Sequence, residues 1–166
     1  MRPRRLEHHE YRGPQQYFLT ICTFQRFHHF TDGALVADVH ALFLRTAIEN
    51  RFAILAYCYM PDHLNLLVEG LSDAANLRSF VSLAKQHSGF ATRHRVTPRL
   101  WQKGYFERVL RDDDDSFNVA RYVVQNPVRA GLVRSSDDYP FTGSTILTKE
   151  QLIESCMWNP EWGRHR

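Results

Sequence analysis

Aromatic and β-branched residues crowd positions Tyr17 to Phe24, directly after the turn signal Gly13-Pro14, and predict a first strand. The pattern then changes period. Leu35, Val39, Leu42, Phe43 and Thr46 recur at helical spacing, with Asp32 available as the N-cap and Asn50 near the end, so a helix is expected. Two apolar runs, Phe52 to Met60 and His63 to Val68, flank Pro61-Asp62 and read as a hairpin of adjacent strands. Leu77, Phe80, Val81, Ala84 and Ala91 mark the apolar face of a second helix, and Tyr105 to Leu110 forms a fourth strand. The acidic run Asp112 to Asp115 with Ser116 opens a third helix, expected to stop near Asn126-Pro127 because a residue before proline is pushed out of the helical region. Beyond it, Val128 to Arg134 and Tyr139-Pro140-Phe141 read as extended or irregular, and Thr148-Lys149-Glu150-Gln151 has the spacing of a capping box for a short last helix.

The order strand, helix, strand, strand, helix, strand is that of an α+β, ferredoxin-like split βαβ sandwich, an antiparallel sheet with helices on one face and a third helix added. A length of 166 residues suits one domain, taken as 1–166. With 43% apolar and 23% charged residues the chain is not disordered throughout, and no run approaches the ~18 apolar residues of a membrane span. The first residues lack the apolar stretch of a secretory signal, so a soluble, cytoplasmic protein is expected. Cys22, Cys58 and Cys156 are too far apart for a Cys-x-x-Cys pair and read as small buried hydrophobes.

Charge is uneven. Between residues 78 and 111 lie Arg78, Lys85, Arg93, Arg95, Arg99, Lys103, Arg108 and Arg111 against the single acid Glu107, whereas the whole chain carries a formal charge of only +3. Such concentration points to a polyanionic partner, and the aromatics interleaving it suit base stacking or a core equally well. The N-terminal arm adds Arg2, Arg4, Arg5 and Arg12.

Three stretches carry candidate chemistry. In Met60-Pro61-Asp62-His63-Leu64-Asn65-Leu66-Leu67-Val68, strand alternation puts His63 and Asn65 on one face, expected to be open, and Leu64, Leu66 and Val68 on the other, under the helices. Within Ala120-Arg121-Tyr122-Val123-Val124-Gln125-Asn126-Pro127, the four-residue spacing turns Tyr122 and Asn126 the same way. Leu100-Trp101-Gln102-Lys103-Gly104-Tyr105-Phe106 leads from the basic region into the fourth strand.

Together with Arg111, Asn126-Pro127-Val128-Arg129-Ala130-Gly131-Leu132-Val133 and Tyr139-Pro140-Phe141, these stretches resemble the REP-associated tyrosine transposases, a branch of the single-tyrosine HUH nucleases, over about residues 15 to 144. The resemblance leaves the basic arm 1–14 and an extension 145–166 outside it. It implies an enzyme that cleaves and rejoins single-stranded or hairpin DNA, with Tyr122 as the nucleophile forming a 5′-phosphotyrosine link. A phenol of ordinary pKa, about 10, attacks poorly at neutral pH, so a divalent cation, Mg²⁺ or Mn²⁺, is implied as cofactor. The implied metal ligands are His63, Asn65 and Asn126. At Asn65 the sequence departs from the family signature of histidine, hydrophobic residue, histidine. An amide oxygen is a neutral donor that hard cations accept, which leaves open a site of weaker affinity, one completed by another side chain, or a non-catalytic nucleic-acid-binding module. Arg78, Lys85, Arg93, Arg95 and Lys103 are the expected phosphate contacts to hairpin DNA. REP-associated members resemble monomers, whereas a related branch pairs as dimers, so a monomer is expected with a dimer as the alternative.

Overall fold

Alternation along β1 (Gln16–Cys22) sends Tyr17, Leu19 and Ile21 into one core and leaves Gln16, Phe18, Thr20 and Cys22 on the opposite face. The computed structural model describes residues 9–111 and 113–157, and the side chains of all of these but 113–115. After β1 come α1 (Gly33–Glu49), β2 (Phe52–Met60), β3 (His63–Gly70), α2 (Leu77–Ala91), β4 (Phe106–Leu110), α3 (Asp113–Arg129), β5 (Thr142–Gly143) and α4 (Lys149–Met157). The sheet order is β4-β1-β3-β2-β5, and every neighbouring pair is antiparallel. This is the expected α+β arrangement, extended at one edge by the two-residue strand β5, too short to leave a sequence pattern.

One face carries α1 and α2. Tyr17, Leu19, Ile21, Leu64, Leu66 and Val68 of the sheet meet Val39 and Phe43 of α1 and Phe80, Val81 and Ala84 of α2 in the larger core. Asp32 caps α1 by accepting from the backbone of Ala34 and Leu35, and Asn76 caps α2 from Ser79, each worth about 1 kcal/mol.

The other face is not open. Val119, Val123 and Val124 of α3 and Leu152, Ile153 and Cys156 of α4 pack on Ala56, Cys58, Met60 and Leu67. An amphipathic helix must bury its stripe somewhere, and with α1 and α2 already covering one side α3 takes the second. Asn65, expected on an exposed surface, is consequently buried at 1% exposure. All three cysteines are buried and unbonded.

Two boundaries also differ from expectation. β1 ends at Cys22, because Thr23 leaves the sheet to bridge Trp101 and Phe24–Arg26 forms a 3-10 turn. The helix α3 runs through Pro127 to Arg129, taking in the start of the segment expected to be irregular. Proline at 127 removes the N–H that would bind the Val123 carbonyl, and side chains serve the carbonyls on either side. Arg129 Nη2 donates to Tyr122 O at 2.7 Å, and Ser136 Oγ donates to Val124 O at 2.9 Å. The true stop is Gly131, whose φ of 73° provides the left-handed turn that closes a helix. Among the described residues no helix is long and apolar enough to cross a membrane. The arginines at positions 2, 4 and 5 lie outside the described residues.

Candidate active site

Two contacts fix how α3 lies on the sheet. Near its start Ser116 hydrogen-bonds to Gln16, and two turns later the Tyr122 ring meets Phe18 edge-on, with centroids 5.7 Å apart. The helix therefore advances along β1 toward Thr20. Asn126, one turn or ~6 Å further, is buried at 9% exposure, whereas Tyr122 is 47% exposed. Arg129 folds back over the tyrosine, its guanidinium carbon 4.2 Å from the ring centroid.

Thr20 pairs with Asn65 across β1 and β3, and Cys22 pairs with His63. The layer between sheet and α3 thus holds Asn65 and His63 in one strand row and Tyr122 and Asn126 on the helix above. His63 is oriented from behind. Its Nδ1 lies 2.7 Å from Asp62 Oδ1, while Arg26 Nε donates to Asp62 Oδ2 at 2.8 Å and Arg26 Nη1 to Cys22 Sγ at 2.8 Å. Arg26 reaches both from a left-handed backbone, φ 60°, next to Gln25 at 51°, conformations that cost non-glycine residues energy and cluster at functional sites. Burial lowers the His63 imidazole below its ordinary value and outweighs the opposing pull of Asp62. Burial alone would raise the Asp62 carboxyl, but hydrogen bonds from His63 and Arg26 hold it low. A neutral ring with its Nδ1 proton on a carboxylate keeps Nε2 free as a ligand, an arrangement typical behind metal-bound histidines.

Asn65 tests whether the donor set fits a cation. Thr20 Oγ1 lies 2.9 Å from Asn65 Oδ1, and Asn65 Nδ2 is buried without a partner. A buried donor left unpaired costs about 1–3 kcal/mol. Exchanging the two ends of the amide, which differ little in shape, lets Nδ2 donate to Thr20 and turns Oδ1 to the orphaned position. That oxygen is then an acceptor that a hydrogen-bond donor or a cation can satisfy. One imidazole and two carboxamide oxygens are donors that a hard divalent cation accepts, while no group of three or more His, Cys, Asp or Glu side chains that could hold a metal exists among the described residues.

The basic residues separate into groups. Lys85, Arg93 and Lys103 line a groove of about 420 Å³ between α2 and residues 98–103, together with Arg99. Arg78 and Arg95 do not line it: Arg78 stacks 4.8 Å over Tyr11, and Arg95 Nη2 lies 2.6 Å from Asp38 of α1. Lys85 Nζ donates to Gln102 O at 2.9 Å and Gly104 O at 2.7 Å, so this ammonium anchors the groove wall.

Residues 14–126, more than half of the chain, match the family model for IS200-like transposases. The chain belongs to the IS200-like transposase family. A Haemophilus influenzae protein provisionally named a REP-associated tyrosine transposase is 26% identical over 160 residues, covering 89% of this chain and 86% of that one. The structure of a REP-associated tyrosine transposase bound to a REP hairpin superposes with a TM-score of 0.73 at 20% identity, covering 86% of this chain and 82% of that chain. A Deinococcus radiodurans crystal structure provisionally named a transposase aligns at a TM-score of 0.50 and 18% identity, over 74% of this chain and 95% of its own. The resemblance carried by the sequence motifs is borne out.

Sequence reasoning about this IS200-like transposase passed over Thr20, Arg26, Arg99 and Arg129 as site residues. Two of these left a usable signal: Arg99 belongs to the basic segment 78–111, and Arg129, seven residues beyond Tyr122, lies two helical turns on along the same face. Thr20 and Arg26 act through partners 45 and 36 residues away, a relation no local pattern encodes.

Proposed function

We propose that this transposase-family chain cleaves and rejoins single-stranded DNA beside hairpins through Tyr122. The observation that supports it is an exposed phenol on a helix packed over the sheet face that carries His63 and Asn65, with Asn126 one turn along. The phenolic oxygen attacks the scissile phosphorus, the bond from phosphorus to the 3′ oxygen breaks, and a 5′-phosphotyrosine forms. The proton lost by the phenol is balanced by one gained by the departing 3′ oxygen. Rejoining is the reverse, so the phosphoester bond is conserved throughout. His63 Nε2 and the carboxamide oxygens of Asn65 and Asn126 would hold Mg²⁺ or Mn²⁺, which when bound polarises the phosphate and offsets its developing charge. Asp62 orients His63, and Arg129 puts a fixed positive charge against the attacking ring.

Hairpin DNA is the proposed partner, as in the structural neighbour that holds a REP hairpin. Basic residues of α2 and the following loop meet its phosphates, so binding falls steeply with salt. Incubating a labelled hairpin carrying a single-stranded flank with the protein and Mn²⁺ tests the reading. A denaturation-resistant protein–DNA adduct, lost in Tyr122→Phe, is expected. Retained binding with no adduct from the wild-type chain would establish a non-catalytic binding module instead.

A further inference from the structure

The groove between α2 and residues 98–103 has a composition that neither core packing nor solvation requires. Its lining carries four cations, Lys85, Arg93, Arg99 and Lys103, and no carboxylate. Among them Phe90 is 65% exposed, and Arg93 lies flat against it, the guanidinium carbon 3.8 Å from the ring centroid. Exposure alone is ordinary for a single apolar side chain; what distinguishes Phe90 is that its ring carries a guanidinium and lies in a groove lined by four cations. With its stacked arginine it forms a platform on which a nucleobase extends the pile, since every base has a π-face. The volume of about 420 Å³ lies in the range of small-ligand sites, ~300–1,000 Å³.

Position adds a second argument. The outer wall is tied to the end of β1: Gln102 N donates to Cys22 O at 3.1 Å and Phe24 N to Leu100 O at 2.8 Å. Cys22 is the cross-strand partner of His63. The groove therefore lies at the His63 end of the sheet, but on the α2 side, whereas His63 faces α3. A nucleic acid that occupies both must turn around the sheet end. Duplex DNA, with a persistence length of about 150 base pairs, resists such a bend, and an unpaired strand does not.

We propose that this groove binds an unpaired nucleotide of the DNA strand, its base stacked on the Phe90–Arg93 pair and its flanking phosphates met by Arg99 and Lys103. The inference rests on the reading that the chain works on DNA, and it assigns the single-stranded flank to α2. Lys85 has a different part, holding the wall through Gln102 and Gly104.

Fluorescence anisotropy on the full chain separates these roles, using one hairpin with a single-stranded flank and the same hairpin without it. Phe90→Ala is expected to weaken the flanked hairpin about tenfold and leave the blunt one unchanged, and Phe90→Trp to restore binding. Arg99→Gln and Lys103→Gln should each reduce the salt slope for the flanked hairpin by about one. Gly89→Met offers an independent route, because a side chain added there meets only Trp101, at 3.9 Å, and fills the groove without removing a cation. It should reproduce the selective loss. Circular dichroism melts check that each variant is folded. Equal affinities of wild type and Phe90→Ala for the flanked hairpin overturn the groove assignment, as does an equal loss on both probes. If the wild-type chain binds neither hairpin, the DNA reading itself fails and the groove assignment falls with it.

Discussion

The guanidinium of Arg129 sits 4.2 Å above the centre of the Tyr122 ring and donates to the carbonyl of the same residue at 2.7 Å. One hydrogen bond and one cation–π contact from the same side chain hold a positive charge against the ring whose phenol, in the proposed reaction, becomes the phosphoester. Arg129→Gln keeps a donor but removes that charge. The rate of covalent adduct formation should fall roughly tenfold, about 1.4 kcal/mol of barrier, while hairpin affinity changes little. Single-turnover gel assays of adduct against time check this, and an unchanged rate would remove Arg129 from the chemistry.

In the proposed metal site, Thr20 and Asn65 would set the cation's affinity. Asn65→Asp adds a charged oxygen in the same shape, so Mn²⁺ binding measured by calorimetry should tighten about tenfold. Without cation the same variant should melt earlier, because a carboxylate is then buried unpaired. Thr20→Val removes the hydroxyl that holds the amide and should weaken Mn²⁺, whereas Thr20→Ser keeps it. Identical affinities in Thr20→Val and wild type would show that the hydroxyl does not orient the carboxamide.

The acid limit of the proposed reaction follows from His63. Burial lowers its pKa, so the ring stays neutral as pH falls through the usual histidine value of about 6.5 and gains its proton only below that. Adduct formation at fixed Mn²⁺ should hold level through that range and drop at lower pH, as the protonated Nε2 ceases to be a donor. Rates measured from pH 7.5 to 4.5 test the sign. Loss already near pH 7 contradicts it.

His40 predicts a stability change remote from the site. Its Nδ1 lies 3.2 Å from the Tyr59 hydroxyl, and burial pushes the imidazole down to about 4. The unfolded chain takes up this proton near pH 6.5 and the folded chain only near pH 4, so acidification across that window favours unfolding. The loss is at most about 3 kcal/mol and is complete below the folded value. Urea melts of wild type and His40→Gln at pH 7 and pH 4 should converge as pH falls, with the variant showing the smaller drop.

How far each feature was legible depends on the range of the interaction behind it. The strands β2 and β3 announce themselves as apolar runs, Phe52 to Met60 and His63 to Val68, on either side of Pro61-Asp62, and the Asp32 cap through residues two and three positions away. Pro127 misled the boundary of α3, because the helix continues past the ring with side-chain donors such as Ser136 serving the neighbouring carbonyls. Thr20 was invisible as a partner of Asn65, since a slip of one residue between β1 and β3 would have brought a different side chain opposite.

Period and chemistry along the chain by themselves determined the order of strands and helices, the tyrosine and asparagine one turn apart, and the concentration of positive charge between residues 78 and 111. These follow from contacts within a few residues, where side-chain spacing dictates direction. Only the tertiary structure decided that α3 covers the second sheet face, that Asn65 is buried against Thr20, and that Arg93, Arg99 and Lys103 converge while Arg78 and Arg95 turn elsewhere. Those outcomes depend on strand register and on which face remains for the last helices to bury, both settled by packing between segments far apart in the chain.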